Sequence, residues 1–210
     1  MAMQNLDLEE QEQLESLKAW WKQNARLILF AIVAAGVALA GMQGWRWYQN
    51  SQAQEASRVY DVLAKAVRAG DAKAVRDAGG ALAEHYGSTL YASLGALEAA
   101  RFHFDRGELR SAAAQLQWVI DRSGSEDLHE LARLRLASVL LDEKSYDEAL
   151  KALEPKPRQA YATQFAALRG DILAAQKRVP EARAAYREAL EKAEGSFRDS
   201  VQMRLDGLGS

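Results

Sequence analysis

The sequence predicts an all-α protein in which a single N-terminal transmembrane helix is followed by a solenoid of helical hairpins and a C-terminal capping helix. One long stretch near the N-terminus contains no charged residue. From about residue 51 onward, small and bulky residues recur with the period of a helical hairpin. The chain is rich in Ala, contains 3 Pro, all from residue 155 onward, and is 27% charged. This composition is typical of packed helices and excludes all-β and disordered chains.

The uncharged stretch covers residues 27–45, which read LILFAIVAAGVALAGMQGW, and Arg26 and Arg46 bracket it. As a helix it would be about 28 Å long, close to the thickness of the hydrocarbon core of a bilayer. Trp20 and Trp21 precede the stretch and further aromatic residues follow it, as in the aromatic belts of membrane proteins. We therefore predict a transmembrane span rather than a buried core helix.

A cleaved signal peptide is the alternative to an uncleaved anchor, because Ala38-Leu39-Ala40 fits the small-x-small cleavage pattern. The segment before the span is long and contains five acidic residues, however, and the uncharged stretch continues past Ala40. We favour an uncleaved signal-anchor. Three basic residues precede the span, whereas Arg46 and Arg58 follow it within a similar distance, which predicts a cytoplasmic N-terminus and a C-terminal domain on the other side of the membrane.

Two features of the N-terminal region predict contacts in or at the membrane. Gly36, Ala40 and Gly44 fall on one helix stripe, where small residues let a second transmembrane helix approach closely. The general abundance of Gly and Ala in transmembrane helices is the alternative explanation. Before the span, apolar residues on one face of residues 14–21 predict a short amphipathic helix at the membrane surface.

A repeat of about 34 residues follows the span. Its clearest unit places Gly170 and Ala182 twelve residues apart, with Tyr186 and Ala189 four and seven residues further on. Equivalent positions are occupied by Ala137, Leu140, Ala149 and Leu153, and again by Ala100, Ala112 and Leu116. Small residues are needed where the two helices of a hairpin cross closely. Because this spacing is that of tetratricopeptide repeats, we expect a solenoid of that type.

Turns separate the first (A) from the second (B) helix of three hairpins, at residues 106–108, 143–145 and 177–180. Residues 52–86 read as a fourth, degenerate hairpin that breaks at Gly70-Asp71. Within its second helix, Gly79-Gly80 predicts a kink or a close approach of another segment.

The last apolar face of a solenoid must be covered, so a terminal capping helix is expected. Residues 196–208 fit this role, with Phe197, Val201 and Leu205 on one face. The chain is thus predicted to consist of a short cytoplasmic amphipathic segment at 1–26, the transmembrane signal-anchor helix at 27–45 and a periplasmic tetratricopeptide-like domain at 46–210.

Four segments carry a resemblance to a known family. They are EQLESLKAWWKQN at residues 12–24, the end of the span GWRWY at 44–48, ELRSAAAQLQ at 108–117, and LRG at 168–170 with its hairpin. The whole chain resembles the YfgM-like ancillary subunits of the bacterial Sec translocon. The resemblance implies an inner-membrane protein whose repeat domain lies in the periplasm and which helps secreted proteins after translocation. It implies Sec translocon subunits and a membrane-anchored periplasmic chaperone of the prolyl-isomerase type as partners, and it brings no catalytic residues.

The sequence offers little chemistry for catalysis. Cys is absent, which excludes thiol catalysis, and the 3 His show no metal-ligand spacing. We expect His103, on an A helix, to be packed or half-exposed rather than a ligand. After Arg26 the chain contains 24 basic and 24 acidic residues, a balance unsuited to nucleic acid. We therefore expect no enzymatic activity, no cofactor, no metal and no nucleic-acid partner.

The A helices of such repeats line the inner face of the solenoid, so residues on that face are candidates for binding a partner. Such a groove holds an amphipathic helix or an unfolded segment. The register predicts a set on this face: Leu94, Leu97, Arg101, Phe104, Leu134, Ser138, Leu141 and Asp171. Burial between A helices is the alternative for several of them.

The sequence predicts a non-enzymatic, membrane-tethered interaction module. The family resemblance implies that this module associates with the Sec translocon and links protein export to periplasmic chaperones. A tether raises the local concentration of a partner in the same membrane, so weak contacts suffice. The alternative is a self-associating tetratricopeptide scaffold, and hence a homo-oligomer, for envelope assembly or cell division.

Overall fold

The computed structural model describes residues 8–154 and 156–209, with side chains from residue 13 onward. Within these residues the chain is helical and contains no β-strand, which confirms the predicted all-α class. The chain divides into two compact units, Met1–Ser51 and Gln52–Ser210.

Helix α1, Leu8–Ala69, supplies the whole described part of the first unit. In the part of the chain that the structure describes, it is the one helix long and apolar enough to cross a membrane, and none of its most apolar window is buried. Phe30 is 74% exposed and Trp47 73% exposed. The core helix of a water-soluble domain would bury such side chains. The candidate transmembrane helix predicted near the N-terminus is therefore confirmed.

The amphipathic segment before the span is not a separate helix, because α1 continues without a break from Leu8 into the apolar stretch. Gly and Pro, the residues that interrupt helices, are absent between Leu8 and Ala35. Leu14, Leu17 and Trp21, the apolar face of this segment, are all exposed. The part of the predicted segment before Leu8 lies outside the described residues.

The second unit is a series of helical hairpins. The helices after α1 are α2 (Ala72–His85), α3 (Leu90–Asp105), α4 (Leu109–Arg122), α5 (Glu126–Asp142), α6 (Tyr146–Leu153), α7 (Ala162–Ala175), α8 (Val179–Leu190) and α9 (Gly195–Gly207), with a short 3₁₀ turn at Gln159–Tyr161 before α7. The A helices of the three predicted repeats are thus α3, α5 and α7, and their B helices are α4, α6 and α8. The predicted tetratricopeptide-like arrangement of hairpins is confirmed.

The same turn joins the two helices of each hairpin. At the α3–α4 turn, Gly107 has φ 73° and donates its N–H to the carbonyl of Phe104, and Glu108 donates to the carbonyl of His103. These two bonds satisfy carbonyls at the end of the A helix, as in a Schellman motif. The left-handed position is occupied in turn by Gly70, Gly107, Lys144 and Lys177, and each makes the equivalent bond. The backbone therefore repeats even where the side chains differ.

Small residues allow each B helix to pack closely on its A helix. Ala112, Ala149 and Ala182, the equivalent Ala of the three repeats, are fully buried. Gly170 lies against Tyr186, and a Cβ atom added to this glycine would come 2.5 Å from the ring carbons Cδ1 and Cε1. The sequence spacing thus identified the positions where the helices cross.

Gly79 and Gly80 do not interrupt α2 and no other described segment approaches them closely, so the predicted close approach was wrong. The helix is continuous from Ala72 to His85, and a Cβ atom at either glycine would meet no described atom within 4 Å. Glycine tolerates many backbone conformations but requires none of them, so a Gly pair alone does not establish a bend.

Helix α9 covers the end of the hairpin series, as predicted. Val201 is fully buried, and Phe197 and Leu205 pack against the same cluster, which includes Tyr186 of α8. The Arg198 guanidinium donates to the carbonyl of Leu190, 2.8 Å away. Apolar burial and capping of the α8 carbonyls therefore hold α9 in place.

Replacing Gly170 with Ala tests the close crossing of α7 and α8. The added methyl group would overlap the Tyr186 ring, so we expect Gly170→Ala to lower the free energy of unfolding by about 1–3 kcal/mol. The measurement is denaturant unfolding of the full chain in detergent, followed by circular dichroism.

Gly80→Ala is the matched control, since Gly80 lies on an open face of α2. Alanine favours a helix interior, so this change should raise the free energy of unfolding by about 0.5–1 kcal/mol. Equal effects of the two substitutions would contradict the close crossing.

Candidate partner-binding surface

Three of the residues predicted on the A-helix face meet at one cleft between α3 and α5. Arg101 and Phe104 of α3 and Ser138 of α5 all line it. We call this the α3–α5 cleft, and its volume is about 320 Å³. Its complete lining consists of Ala100, Arg101, Phe104, Asp105, Leu116, Arg135, Ser138 and Val139.

The floor of the α3–α5 cleft is apolar and buried. Ala100, Leu116 and Val139 are each less than 5% exposed. Phe104 forms the wall of the cleft and is 39% exposed. Some described residues of the second unit have large, exposed apolar side chains, and Phe104 is the only aromatic one of these. The exposed apolar surface of the cleft is therefore largely that of Phe104, because the chain itself covers the floor residues almost completely.

Charged side chains surround this apolar surface. The Arg101 Nε atom lies 3.7 Å from Asp105 Oδ2, beyond hydrogen-bond distance, and both side chains are largely exposed. Such an exposed pair is screened by water and weak. Arg135 is exposed and has no carboxylate within 4.0 Å among the residues that the structure describes. Two guanidinium groups therefore face one carboxylate at the cleft.

The other predicted residues lie elsewhere, and for Leu97 the prediction was wrong. Leu97 is 5% exposed and belongs to the core, because it packs between the helices rather than on their free face. Leu134 and Leu141 are half-buried against the same core, and Leu94 is also half-buried. For Leu97, burial between A helices is therefore the correct alternative to a place on the open face.

Asp171 joins three helices instead of lining the cleft. The Tyr186 hydroxyl of α8 donates to its Oδ1 atom at 2.8 Å, and Arg204 of α9 donates to Oδ2 at 2.7 Å. Burial, and then the Asp171 carboxylate, raise the pKa of Tyr186, so the hydroxyl keeps its proton and remains a donor. Asp171 therefore fixes the capping helix to α7 and α8.

A buried ion pair on α5 was missed by sequence reasoning. The Arg133 guanidinium donates to both carboxylate oxygens of Glu130, at 3.0 and 3.2 Å, and its Nε atom donates to the carbonyl of Ala152 in α6. It also lies 4.9 Å from the centre of the Phe165 ring of α7. In the sequence, Glu130 and Arg133 have the spacing of an ordinary solvated pair on a helix surface, so nothing distinguished them.

The turn after α3 contains a second polar cluster. His103 is 8% exposed, as expected for a packed histidine, and its Nδ1 atom lies 2.6 Å from Glu108 Oε2. Arg106 donates to the other carboxylate oxygen and stacks over the ring of Phe102. The hydrogen bond with His103, and then that with Arg106, lower the pKa of the Glu108 carboxyl.

Glu108→Gln should therefore destabilise the domain near neutral pH. A carboxyl whose pKa is lowered by folding stabilises the protein above its unfolded pKa, and this contribution is lost as the pH falls through the folded value. We expect the urea midpoint of Glu108→Gln to lie below that of the unsubstituted chain at pH 7 and the two to converge in acid. Glu84→Gln, an exposed position on α2, is the control; the same difference at every pH would contradict the assignment.

The described residues contain no group of three or more His, Asp or Glu side chains that could hold a metal ion. Gly36 and Gly44 belong to the stripe of small residues on the apolar helix of the first unit. A Cβ atom added at either glycine would meet no described atom of another segment within 4 Å, so this stripe is open.

Comparison with known proteins gives first the class of the chain. The tetratricopeptide repeat-like domain family matches residues 18–210. Together with the helical hairpins and the exposed apolar helix, this match defines a tetratricopeptide repeat-like protein with a candidate membrane anchor.

Three relatives, each called an ancillary SecYEG translocon subunit, then give the family. That of Neisseria gonorrhoeae is 32% identical over 207 residues, which is 96% of this chain and 98% of the relative. That of Escherichia coli is 30% identical over 200 residues, 95% of this chain and 96% of the relative. That of Haemophilus influenzae is 28% identical over 204 residues, 96% of this chain and 98% of the relative. The chain belongs to the family of ancillary SecYEG translocon subunits, as the sequence resemblance indicated.

Proposed function

We propose that the chain is a non-enzymatic, membrane-tethered module that associates with the SecYEG translocon and links protein export to a periplasmic chaperone. The observation that carries this proposal is the exposed apolar stretch 27–45 in a chain whose second unit is a tetratricopeptide-like domain with the α3–α5 cleft. The name shared by the relatives supports the choice of SecYEG as partner. The chaperone, a membrane-anchored protein of the prolyl-isomerase type, follows from the family resemblance.

In this proposal residues 1–26 are cytoplasmic, residues 27–45 span the inner membrane and residues 46–210 lie in the periplasm. The small excess of basic residues before the span supports the orientation. Gly36, Ala40 and Gly44 form the face that contacts a second transmembrane helix. Support comes from the open space around both glycines, which lets another helix approach the backbone closely.

Co-purification from mild detergent tests the association. We expect a C-terminally tagged full chain to recover SecYEG subunits and a periplasmic chaperone, measured by quantitative mass spectrometry. The double substitution Gly36→Leu with Gly44→Leu should reduce the recovery of SecYEG about fivefold, equivalent to about 1 kcal/mol of lost packing.

The matched control is Ala31→Leu with Ala38→Leu, which adds similar bulk on the opposite face of the same helix. This variant should recover SecYEG as the unsubstituted chain does. Recovery of the chain alone, without translocon subunits, would instead support a self-associating scaffold.

Protease accessibility tests the orientation. In intact spheroplasts, added protease should degrade the domain at residues 46–210, because this domain is placed on the outer side of the inner membrane. A tag at the N-terminus should be protected until the cells are lysed. Protection of the repeat domain in intact spheroplasts would show that the orientation is reversed.

A further inference from the structure

We infer that a small pocket at the starts of α3 and α5 binds a phosphate group. The loop before α3 and the loop before α5 meet there and border a pocket of about 210 Å³. Ser88, Leu90 and Ser93 line it from the α3 side, and Arg122 and Ser125 line it from the α4–α5 side. We call it the Ser93 pocket. It shares no lining residue with the α3–α5 cleft, and the inference does not depend on the association with SecYEG.

A buried hydroxyl without a partner points to a ligand. Ser93 is the fourth residue of α3 and is only 3% exposed. Among the described residues, no group forms a hydrogen bond with its hydroxyl. A hydroxyl that is removed from water without a partner costs free energy, so native proteins rarely leave one. The Ser93 Oγ atom is not sealed in the core, because the residue lines the pocket. A group bound in the pocket would therefore complete its hydrogen bonding.

Further hydrogen-bond donors line the pocket on both of its sides. The Ser125 hydroxyl accepts the N–H of Leu128 at 3.4 Å, so its own proton is available to a ligand. The N–H group of Leu90 makes no backbone hydrogen bond within the described chain, as expected for the first residue of a helix. The Ser88 hydroxyl is exposed and is not bonded to any described group. A ligand that accepts hydrogen bonds therefore fits both sides of the pocket.

The charge at the pocket is positive. Arg122 is exposed and has no carboxylate within 4.0 Å in the part of the chain that the structure describes. Neither Asp nor Glu occurs among the described residues that line the pocket. Glu126 and Asp127 are nearby in the chain, but their carboxylate oxygens lie 3.6 and 2.6 Å from Arg158, which neutralises part of their charge. An anion is therefore the complementary ligand.

The size of the pocket and the placement of its donors select a phosphate group among anions. A volume of about 210 Å³ lies below the range of larger organic ligands, so it suits a single small group. The donors belong to α3, to Arg122 at the end of α4 and to Ser125, the N-cap of α5. A tetrahedral phosphate group has three or more acceptor oxygens and can meet all three segments at once, whereas the two oxygens of a carboxylate lie in one plane. A guanidinium group also binds phosphate through two parallel hydrogen bonds.

The phosphate group is either free in solution or part of a phospholipid headgroup, and two probes distinguish these sources. The first is inorganic phosphate, and the second is glycerophosphoglycerol, a phospholipid headgroup without its acyl chains. Acetate is the planar anion for comparison. Isothermal titration calorimetry of the full chain in detergent, in phosphate-free buffer at constant ionic strength, measures each Kd.

We expect at least one phosphate probe to bind about tenfold more tightly than acetate, because it makes more charge-assisted hydrogen bonds. Tighter binding of inorganic phosphate supports the site with free phosphate as its ligand. Tighter binding of glycerophosphoglycerol supports it with a lipid headgroup as its ligand. If neither phosphate probe binds, or if acetate binds equally well, the inference is overturned.

Two substitutions test the residues that carry the inference. Arg122→Gln should raise the Kd for the tighter phosphate probe about tenfold, and Ser93→Ala should raise it about fivefold. Without phosphate, Ser93→Ala should not lower the unfolding midpoint, since the lost hydroxyl had no partner among the described residues. With phosphate, the midpoint of the unsubstituted chain should rise and that of Ser93→Ala should rise less. A lower midpoint of Ser93→Ala in both conditions, with an unchanged Kd, would show a structural serine instead.

Two control variants match these substitutions. Arg76→Gln removes an exposed guanidinium group of α2 that lies outside the pocket. Ser138→Ala removes a serine hydroxyl of the A helix α5 that donates to the carbonyl of Leu134 at 3.1 Å. Both controls should keep the Kd of the unsubstituted chain. Equal Kd values for the controls and for both pocket variants would refute the phosphate site.

Discussion

The repeat unit depends on how closely each B helix can approach its A helix. At α7 and α8 this approach has no spare room, because ring carbons of Tyr186 lie only 2.5 Å from the position that a Cβ atom would take at Gly170. The buried alanines at 112, 149 and 182 permit the same approach in each repeat. Protein interiors are close-packed, so a methyl group added at such a crossing shifts neighbouring side chains or backbone. The placement of the A helices, and with it the α3–α5 cleft, follows from these short contacts.

The interior between α5, α6 and α7 adds a polar constraint to this apolar packing. Helix α6 has only 8 residues, and one of its last carbonyls, that of Ala152, accepts a hydrogen bond from Arg133. The Glu130 carboxylate neutralises this guanidinium, and Phe165 covers it. Taking two charges out of water is costly, so the pair need not add net stability. Loss of Arg133 would nevertheless leave the Glu130 carboxylate buried without this ion pair, and the Arg133 contacts with α6 and α7 fix how the three helices fit together.

The sequence was sufficient to predict features that depend on periodicity and local chemistry. The apolar stretch, the repeat positions, the turns and the capping helix were predicted because each follows from spacing along a single chain segment. The errors at the candidate site concern where neighbouring helices lie. Helix register alone could not separate Leu97, which is buried, from Phe104, which is exposed, although both lie on α3. Likewise, Asp171 was assigned to the open face because its partners, Tyr186 and Arg204, lie on helices whose docking the sequence does not specify.

The anchor and the cleft are best understood together, because the cleft alone supports only weak binding. One buried apolar side chain contributes about 1.5–3 kcal/mol, and a charge-assisted hydrogen bond contributes about 1.5–3 kcal/mol. The loss of ligand freedom on binding offsets much of this gain, so the net falls below the about 4 kcal/mol that corresponds to a Kd near 1 mM. A tether to the same membrane as the partner supplies an effective concentration of this order. In the proposed function, the tether therefore compensates for part of the weak binding at a shallow cleft of about 320 Å³.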